Sequence, residues 1–445
     1  MSTAADLPAR RGLLSILGVG FGIAVGIGMM IGSGILRSPS LIAAAVPSAN
    51  WIIALWVLGA VHAALGANVY AELATALPRA GGAYVYAHRA LGDIGGLIVG
   101  WSNWLSDLAG IAAASVSFAN FLVLLWPETA PYGVEIAVGV QVLIFAVNMV
   151  GLREGRLVQE ATSLIKTVML LVFVAAACVA ASEMARPDGA MAPVTQGFGW
   201  LAAIGAYQLI RGAYAGWDAP VNFSEENETP GHSIPRALLI GLVVTAVLYV
   251  GVNAALLGAL GVAGTARSVL PFTTVLMHFG GTLPAILFAI GAMITVASCA
   301  NANAMSAPRI LFALSRDKLL PDALQAVNEG GSPTTAFLMT AVGSIALAAT
   351  GKFQLVFGLI GTLNSLGGIL VGLTIFVLRA REPDLPRPFR ALGYPVLPAL
   401  ALAVDAALLM LFLSADWMGA YAAIGLSLAC VPFALVARYA KRGAP

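Results

Sequence analysis

Two long hydrophobic segments of this chain are interrupted by helix-breaking residues at corresponding places. The first reads Gly26-Ile27-Gly28-Met29-Met30-Ile31-Gly32-Ser33-Gly34-Ile35, the second Arg211-Gly212-Ala213-Tyr214-Ala215-Gly216-Trp217. Inside a bilayer, backbone N–H and C=O groups need partners. A non-helical stretch therefore survives there only where protein buries it or it lines a cavity. A pair of such breaks, each in the first segment of its half of the chain, points to a transporter's binding site.

Composition places the chain in a membrane. It is 60% hydrophobic and 10% charged, against about 25% charged in soluble domains. Apolar runs near the ~20 residues that span a bilayer recur along the whole length. They predict an all-α integral membrane protein with twelve transmembrane segments. These lie at 15–46 (broken), 51–76, 94–126, 133–150, 159–182, 197–224 (broken), 237–260, 281–314, 335–350, 354–379, 393–413 and 417–437. The first segment is too long for a signal-peptide core and no clean cleavage site follows it, so no cleaved signal is expected. With the N-terminus in the cytoplasm, the inner loops hold seventeen Lys and Arg, and the outer loops only Arg186, Arg267 and Lys352. The positive-inside rule then puts both termini in the cytoplasm. The net charge of +2 follows from topology and gives no reason to expect nucleic-acid binding. Arg37, Lys166 and Arg211 fall within or close to hydrophobic segments.

Cys178, Cys299 and Cys430 lie in predicted membrane helices without disulfide or metal spacing, and read as small packing residues. The histidines are scattered, so neither a metal site nor a cofactor is expected. No phosphate-binding loop is present, so uphill work must draw on an ion gradient or on exchange. The Ala- and Gly-rich, Lys-poor composition suggests a bacterial source and hence the inner membrane. The polar loops are short, which leaves no docking ectodomain and predicts a monomer or weak homo-oligomer.

Segments 1–5 and 6–10 read as two halves, 12–182 and 197–379, offset by about 180 residues. The last two segments, 393–437, stand outside them. An odd number of helices per half inverts the second copy, which gives two conformations by rocking one part against another.

Five strings, in this order, resemble the amino acid–polyamine–organocation (APC) superfamily of transporters. They are Met30-Ile31-Gly32-Ser33-Gly34-Ile35; Tyr70-Ala71-Glu72-Leu73-Ala74 with Pro78-Arg79-Ala80-Gly81-Gly82-Ala83-Tyr84; Asn148-Met149-Val150-Gly151 with Gln159 and Lys166; Ala213-Tyr214-Ala215-Gly216-Trp217 with Glu225-Glu226-Asn227-Glu228-Thr229-Pro230; and Ser306-Ala307-Pro308-Arg309 with Leu314-Ser315-Arg316-Asp317. Their order and spacing cover residues 12 to about 380. The resemblance implies a LeuT-type 5+5 inverted-repeat fold with helices 1 and 6 broken at mid-membrane, and transport of amino acids or related amines.

A broken helix leaves free N–H groups at the start of its second half and free C=O groups at the end of its first. The dipole favours an anion at the former and a cation at the latter. An α-amino acid carries both charges. The N–H groups of Ser33 and Gly34 with the Ser33 hydroxyl are expected to take its carboxylate, Gly32 allowing close approach. The carbonyls of Met30, Ile31, Gly212, Ala213 and Ala215 are expected to take its ammonium, with Tyr214 beside them. The bland reading is that these glycines mark close helix packing.

Lys166 lies mid-helix in segment 5 and resembles the family lysine that approaches the first break, where sodium-coupled relatives place a cation. It fits either a sodium surrogate acting as a proton-linked switch or a permanent structural cation. Asp218, just after the second break, is a candidate coupling acid or a cap of the restarted helix. Asp107 is expected to face the pocket. Asp405 lies outside the repeat and is assigned no transport role. Glu225 and Glu226 are expected to pair with loop arginines as an inner gate. Gly212 and Asn303 stand where family members often carry an aromatic, so a larger, more polar pocket is expected. Arg211 is read as binding an acidic side chain, repelling cationic substrates, or snorkelling to the interface.

The leading expectation is a sodium-independent secondary transporter of amino acids, by proton symport or exchange. Polyamine or organic-amine transport, and a transport-dead sensor, stand as alternatives. A membrane-embedded enzyme would need a convergent catalytic cluster, which the sequence does not offer.

Overall fold

The computed structural model describes residues 18–150, 152–183, 199–268, 270–328, 331–351, 353–415 and 417–432. The residues expected to start the first half (12–17), the 183–196 loop apart from Glu183, and the end of the twelfth segment (433–437) lie outside them. So do Arg10, Arg11, Arg186, Lys352, Arg438, Lys441 and Arg442 of the charge assignment.

The described chain is all helical, apart from one isolated bridge between Val327 and Pro333. The helices are α1 (Val19–Met30), α2 (Ser33–Ala45), α3 (Ala49–Ala76), α4 (Ala83–Leu125), α5 (Gly133–Val150), α6 (Leu152–Glu183) and α7 (Trp200–Tyr214). They continue with α8 (Pro230–Arg267), α9 (Pro271–Gly280), α10 (Thr282–Arg316), α11 (Thr334–Ala348), α12 (Phe353–Arg381), α13 (Val396–Ala415) and α14 (Trp417–Leu428). Among the described residues, nine helical stretches are long and apolar enough to cross a membrane. The segments expected at 197–224, 335–350 and 417–437 fall short of that length. The first is cut by its break, α11 has 15 residues, and the third runs past the described residues.

α4 and α10 run along each other, α12 lies on α4, and α8 covers α1, α2 and α3. Contact is close because the facing residues are small: Ala109, Ala112, Ala300, Ala304 and Ala307 are all fully buried. On the outside, Leu143, Leu164, Val172, Val243 and Val247 are exposed, as side chains whose solvent is lipid should be. The crossing parts of α4 and α10 start from one backbone device. Gly92, inside α4, has φ 77°, ψ −170°, and Gly281, just before α10, has φ 78°, ψ −160°. That region is essentially closed to residues with a Cβ.

Candidate functional site

Both breaks form where the sequence starves the helix. α1 ends at Met30, Ile31 and Gly32 leave helical geometry, and α2 restarts at Ser33. α7 ends at Tyr214, Ala215 turns extended (ψ 145°), and Gly216 takes φ 95°. Beyond it the chain does not resume an α-helix. It forms a 3-10 turn, Ala219–Glu226, with Pro220 at its start. The two breaks lie against each other. A Cβ on Gly34 would sit 2.7 Å from the Cα of Ala213, so only glycine permits the approach.

Several of the freed carbonyls already have partners. The Tyr249 hydroxyl, on α8, bridges the breaks: it lies 2.5 Å from Met30 O and 3.0 Å from Ala213 O. The Lys166 ammonium, on α6 and fully buried, donates to Gly28 O and Ile31 O, each at 2.9 Å, and reaches Thr295 O at 3.5 Å. Cys299 Sγ donates to Met29 O at 3.2 Å. Ser163 Oγ donates to Ala24 O at 2.7 Å, and Gln159 joins Ala24 to Asn301. A ligand ammonium meeting Met30 or Ile31 would therefore use the carbonyl's second lone pair. Gly212 O accepts the local turn bond from Ala215 N, at 3.2 Å.

A cavity opens between the breaks. Its wall takes Met30, Gly32, Ser33 and Gly34 from the first break and Gly212, Ala215, Gly216 and Asp218 from the second. α4 adds Asn103, Ser106, Asp107 and Gly110; α10 adds Cys299 and Asn303; Asn222 and Asn364 complete the polar wall. Most of the residues expected to hold substrate thus share one space, Asp107 and Asn303 included. Three do not line it. Ile31 is buried behind the break with its carbonyl on Lys166. Ala213 backs onto Gly34. The Tyr214 ring packs on Trp56 and Tyr249 at centroid distances of 5.8 and 5.0 Å, its hydroxyl donating to Trp56 O. Asn103, Ser106, Asn222, Asn364, Cys299 and Tyr249 were missed from sequence. A signal existed for part of this set, since 103, 106, 107 and 110 form a polar and small stripe at helical spacing in an apolar segment.

Charged groups flank the cavity on both sides. Arg211 donates to Asp405 Oδ1 at 2.6 Å and to Asn364 O at 3.3 Å. His62 Nε2 lies 3.3 Å from the same Asp405 oxygen. These residues line a second cavity, whose wall Asp218, Ala215 and Asn364 share with the first. Arg211 therefore does not snorkel, because Asp405 holds it in the interior. Asp405 has this definite partner although its helix stands outside the two halves. Beyond the 3-10 turn, Glu226 pairs with Arg309 at 2.6 Å, both buried, and Glu225 with Arg316 at 2.7 Å. Arg309 is a buried helix residue, where loop arginines were expected. Among the described residues, no group of three His, Cys, Asp or Glu is arranged to hold a metal, and the cysteines are free.

The sequence of a family described as amino acid permease matches residues 19–433. A branched-chain amino acid permease, BcaP, of Bacillus subtilis (strain 168) is 28% identical over 426 residues, covering 91% of this chain and 87% of that protein. A serine/threonine exchanger, SteT, of the same organism is 26% identical over 441 residues, covering 95% and 96%. The large neutral amino acids transporter small subunit 2 of Rattus norvegicus is 25% identical over 406 residues, covering 87% and 73%.

Proposed function

The chain belongs to the amino acid permease family, and from that premise we propose a secondary active, sodium-independent transporter of amino acids that works by alternating access. It resides in a bacterial inner membrane with both termini cytoplasmic, a reading supported by the skew of Lys and Arg among the loops. The halves 12–182 and 197–379 rock about the cavity, and 393–437 braces them. The matched glycines Gly92 and Gly281 support that division.

One observation carries the sodium-independent reading. The Lys166 ammonium sits among Gly28 O, Ile31 O and Thr295 O, a set of backbone carbonyls of the kind that coordinate sodium at an unwound helix. A resident ammonium supplies the positive charge there. Ser33 and Gly34, at the N-terminus of α2, receive the substrate carboxylate, as a helix start favours an anion. Coupling is to protons, through Asp218 on the cavity wall, or to the return of a second amino acid.

Proteoliposomes loaded with or without internal amino acid test this. Labelled uptake is expected to be indifferent to replacing sodium with choline. Uptake driven by an inward proton gradient into empty vesicles would establish symport, and uptake only against internal amino acid would establish exchange. A strict sodium requirement would overturn the assignment of Lys166.

A further inference from the structure

The cavity has an unmet hydrogen-bonding demand of a single sign. Among the described residues, two side chains on its wall carry a buried polar atom without a partner, Asp107 Oδ2 and Asn222 Oδ1. Both atoms are acceptors. Asp107 is 9% exposed and Asn222 6%. Asn222 Nδ2 donates to Ser306 Oγ at 2.7 Å, which leaves its amide oxygen over. Asn303 is oriented likewise. Its Nδ2 donates to Cys299 O at 2.8 Å, leaving the amide oxygen against Gly110 of the same wall.

Among the described residues, no basic side chain lines this cavity. Lys166 is spent on the carbonyls behind the first break. Arg211, next to Gly212, is neutralised by Asp405 at 2.6 Å. An acidic substrate finds no cation here, and an apolar side chain would leave Asp107 Oδ2 and Asn222 Oδ1 buried without a donor, which is unfavourable.

Resting on the amino acid transporter reading above, we propose that the substrate is a basic α-amino acid. Its ammonium or guanidinium donates to Asp107 Oδ2 and Asn222 Oδ1 while its carboxylate lies at Ser33 and Gly34. Asp405 is then a specificity-determining residue that acts at a distance, by withholding Arg211.

Counterflow in proteoliposomes preloaded with lysine tests this, with lysine, ornithine, arginine, cadaverine, leucine, serine and glutamate as competitors. The basic amino acids are expected to compete and the neutral and acidic ones not. Asp107→Asn is expected to raise the apparent KM for lysine about 10- to 100-fold, the range for losing a charged hydrogen bond, and Asp107→Glu to recover part of it. Ligand-induced shifts in melting temperature of the purified protein give a second readout should the variant fail to transport. Lysine must shift the wild type, and Asp107→Asn must abolish that shift while remaining folded.

Exchange of leucine or serine that excess lysine leaves unaffected, in vesicles preloaded with either, overturns the basic-substrate proposal but keeps the amino acid reading. Cadaverine competing as well as lysine would mean that the carboxylate site is unused and would overturn both. Failure of every amino acid to exchange or to shift melting would also overturn both.

Discussion

At the scale of single residues, two side chains hold the breaks in place. Lys166 supplies a cation to Gly28 O and Ile31 O, and Tyr249 ties Met30 O to Ala213 O. Lys166→Ala is expected to reduce lysine counterflow by about tenfold or more, the loss of one charged hydrogen bond being worth about 1.5–3 kcal/mol. Its pH profile separates the two roles open to this lysine. If accumulation persists in Lys166→Ala with an unchanged pH dependence, the ammonium is not the proton-linked switch. Tyr249→Phe keeps the ring and removes the single hydroxyl proton that the two buried carbonyls share. A loss of about 1–3 kcal/mol is expected, read as a lower melting temperature, with slower transport because the breaks are no longer tied together. Lys166 was legible because a charge in an apolar run stands out. Tyr249 was not, since a tyrosine in a membrane helix is unremarkable until the carbonyls that it meets, 219 and 36 residues away, are seen beside it.

At the scale of elements, the breaks were legible because clustered glycines such as Gly32 and Gly34 weaken a helix. Their restart was only half so. α2 begins as expected, whereas the second break passes into the 3-10 turn Ala219–Glu226. The α4 stripe at 103, 106, 107 and 110 was readable by period, yet it becomes a site only once α10 and α12 bring Asn303 and Asn364 to it. Glycines of two kinds separate transport from stability. A Cβ at Gly34 would meet backbone, Ala213 Cα at 2.7 Å, so Gly34→Ala must push the breaks apart. We expect it to cut transport by about tenfold or more, since an ångström of misplacement is worth that much at a reacting or binding centre. Gly92 has nothing within 4 Å of a built Cβ, but its φ is 77°. Gly92→Ala is therefore expected to lower stability by about 1–3 kcal/mol through backbone strain alone, with KM unchanged. Melting curves and KM measured on both variants check the contrast.

At the scale of the whole molecule, ion pairs hold the chain on both sides of the cavity. Asp405 binds Arg211 next to the second break, and Glu226 binds Arg309 at the far end of the 3-10 turn. Sequence position alone gave no way to foresee the first pair, whose partners are 194 residues apart on helices with no shared period. Lying outside the two halves says nothing of which helix Asp405 faces. The second pair is well enclosed: Glu226 accepts from Nε and Nη2 of Arg309 at 2.6 and 3.1 Å, Nη1 donates to Met305 O, and Phe223 lies 4.7 Å from that guanidinium. Removing one partner of so buried a pair strands the other, at about 3–5 kcal/mol, while replacing both by neutral groups of similar volume can be close to neutral. Glu226→Gln and Arg309→Met should each lower the melting temperature strongly, and the double variant should regain most of the loss. If the double variant is instead as unstable as the sum of the singles, the pair is not the unit that holds this end of the protein. If stability is regained but counterflow is not, the pair works in transport as well as in folding, as a contact that must form and break while the halves rock about the site.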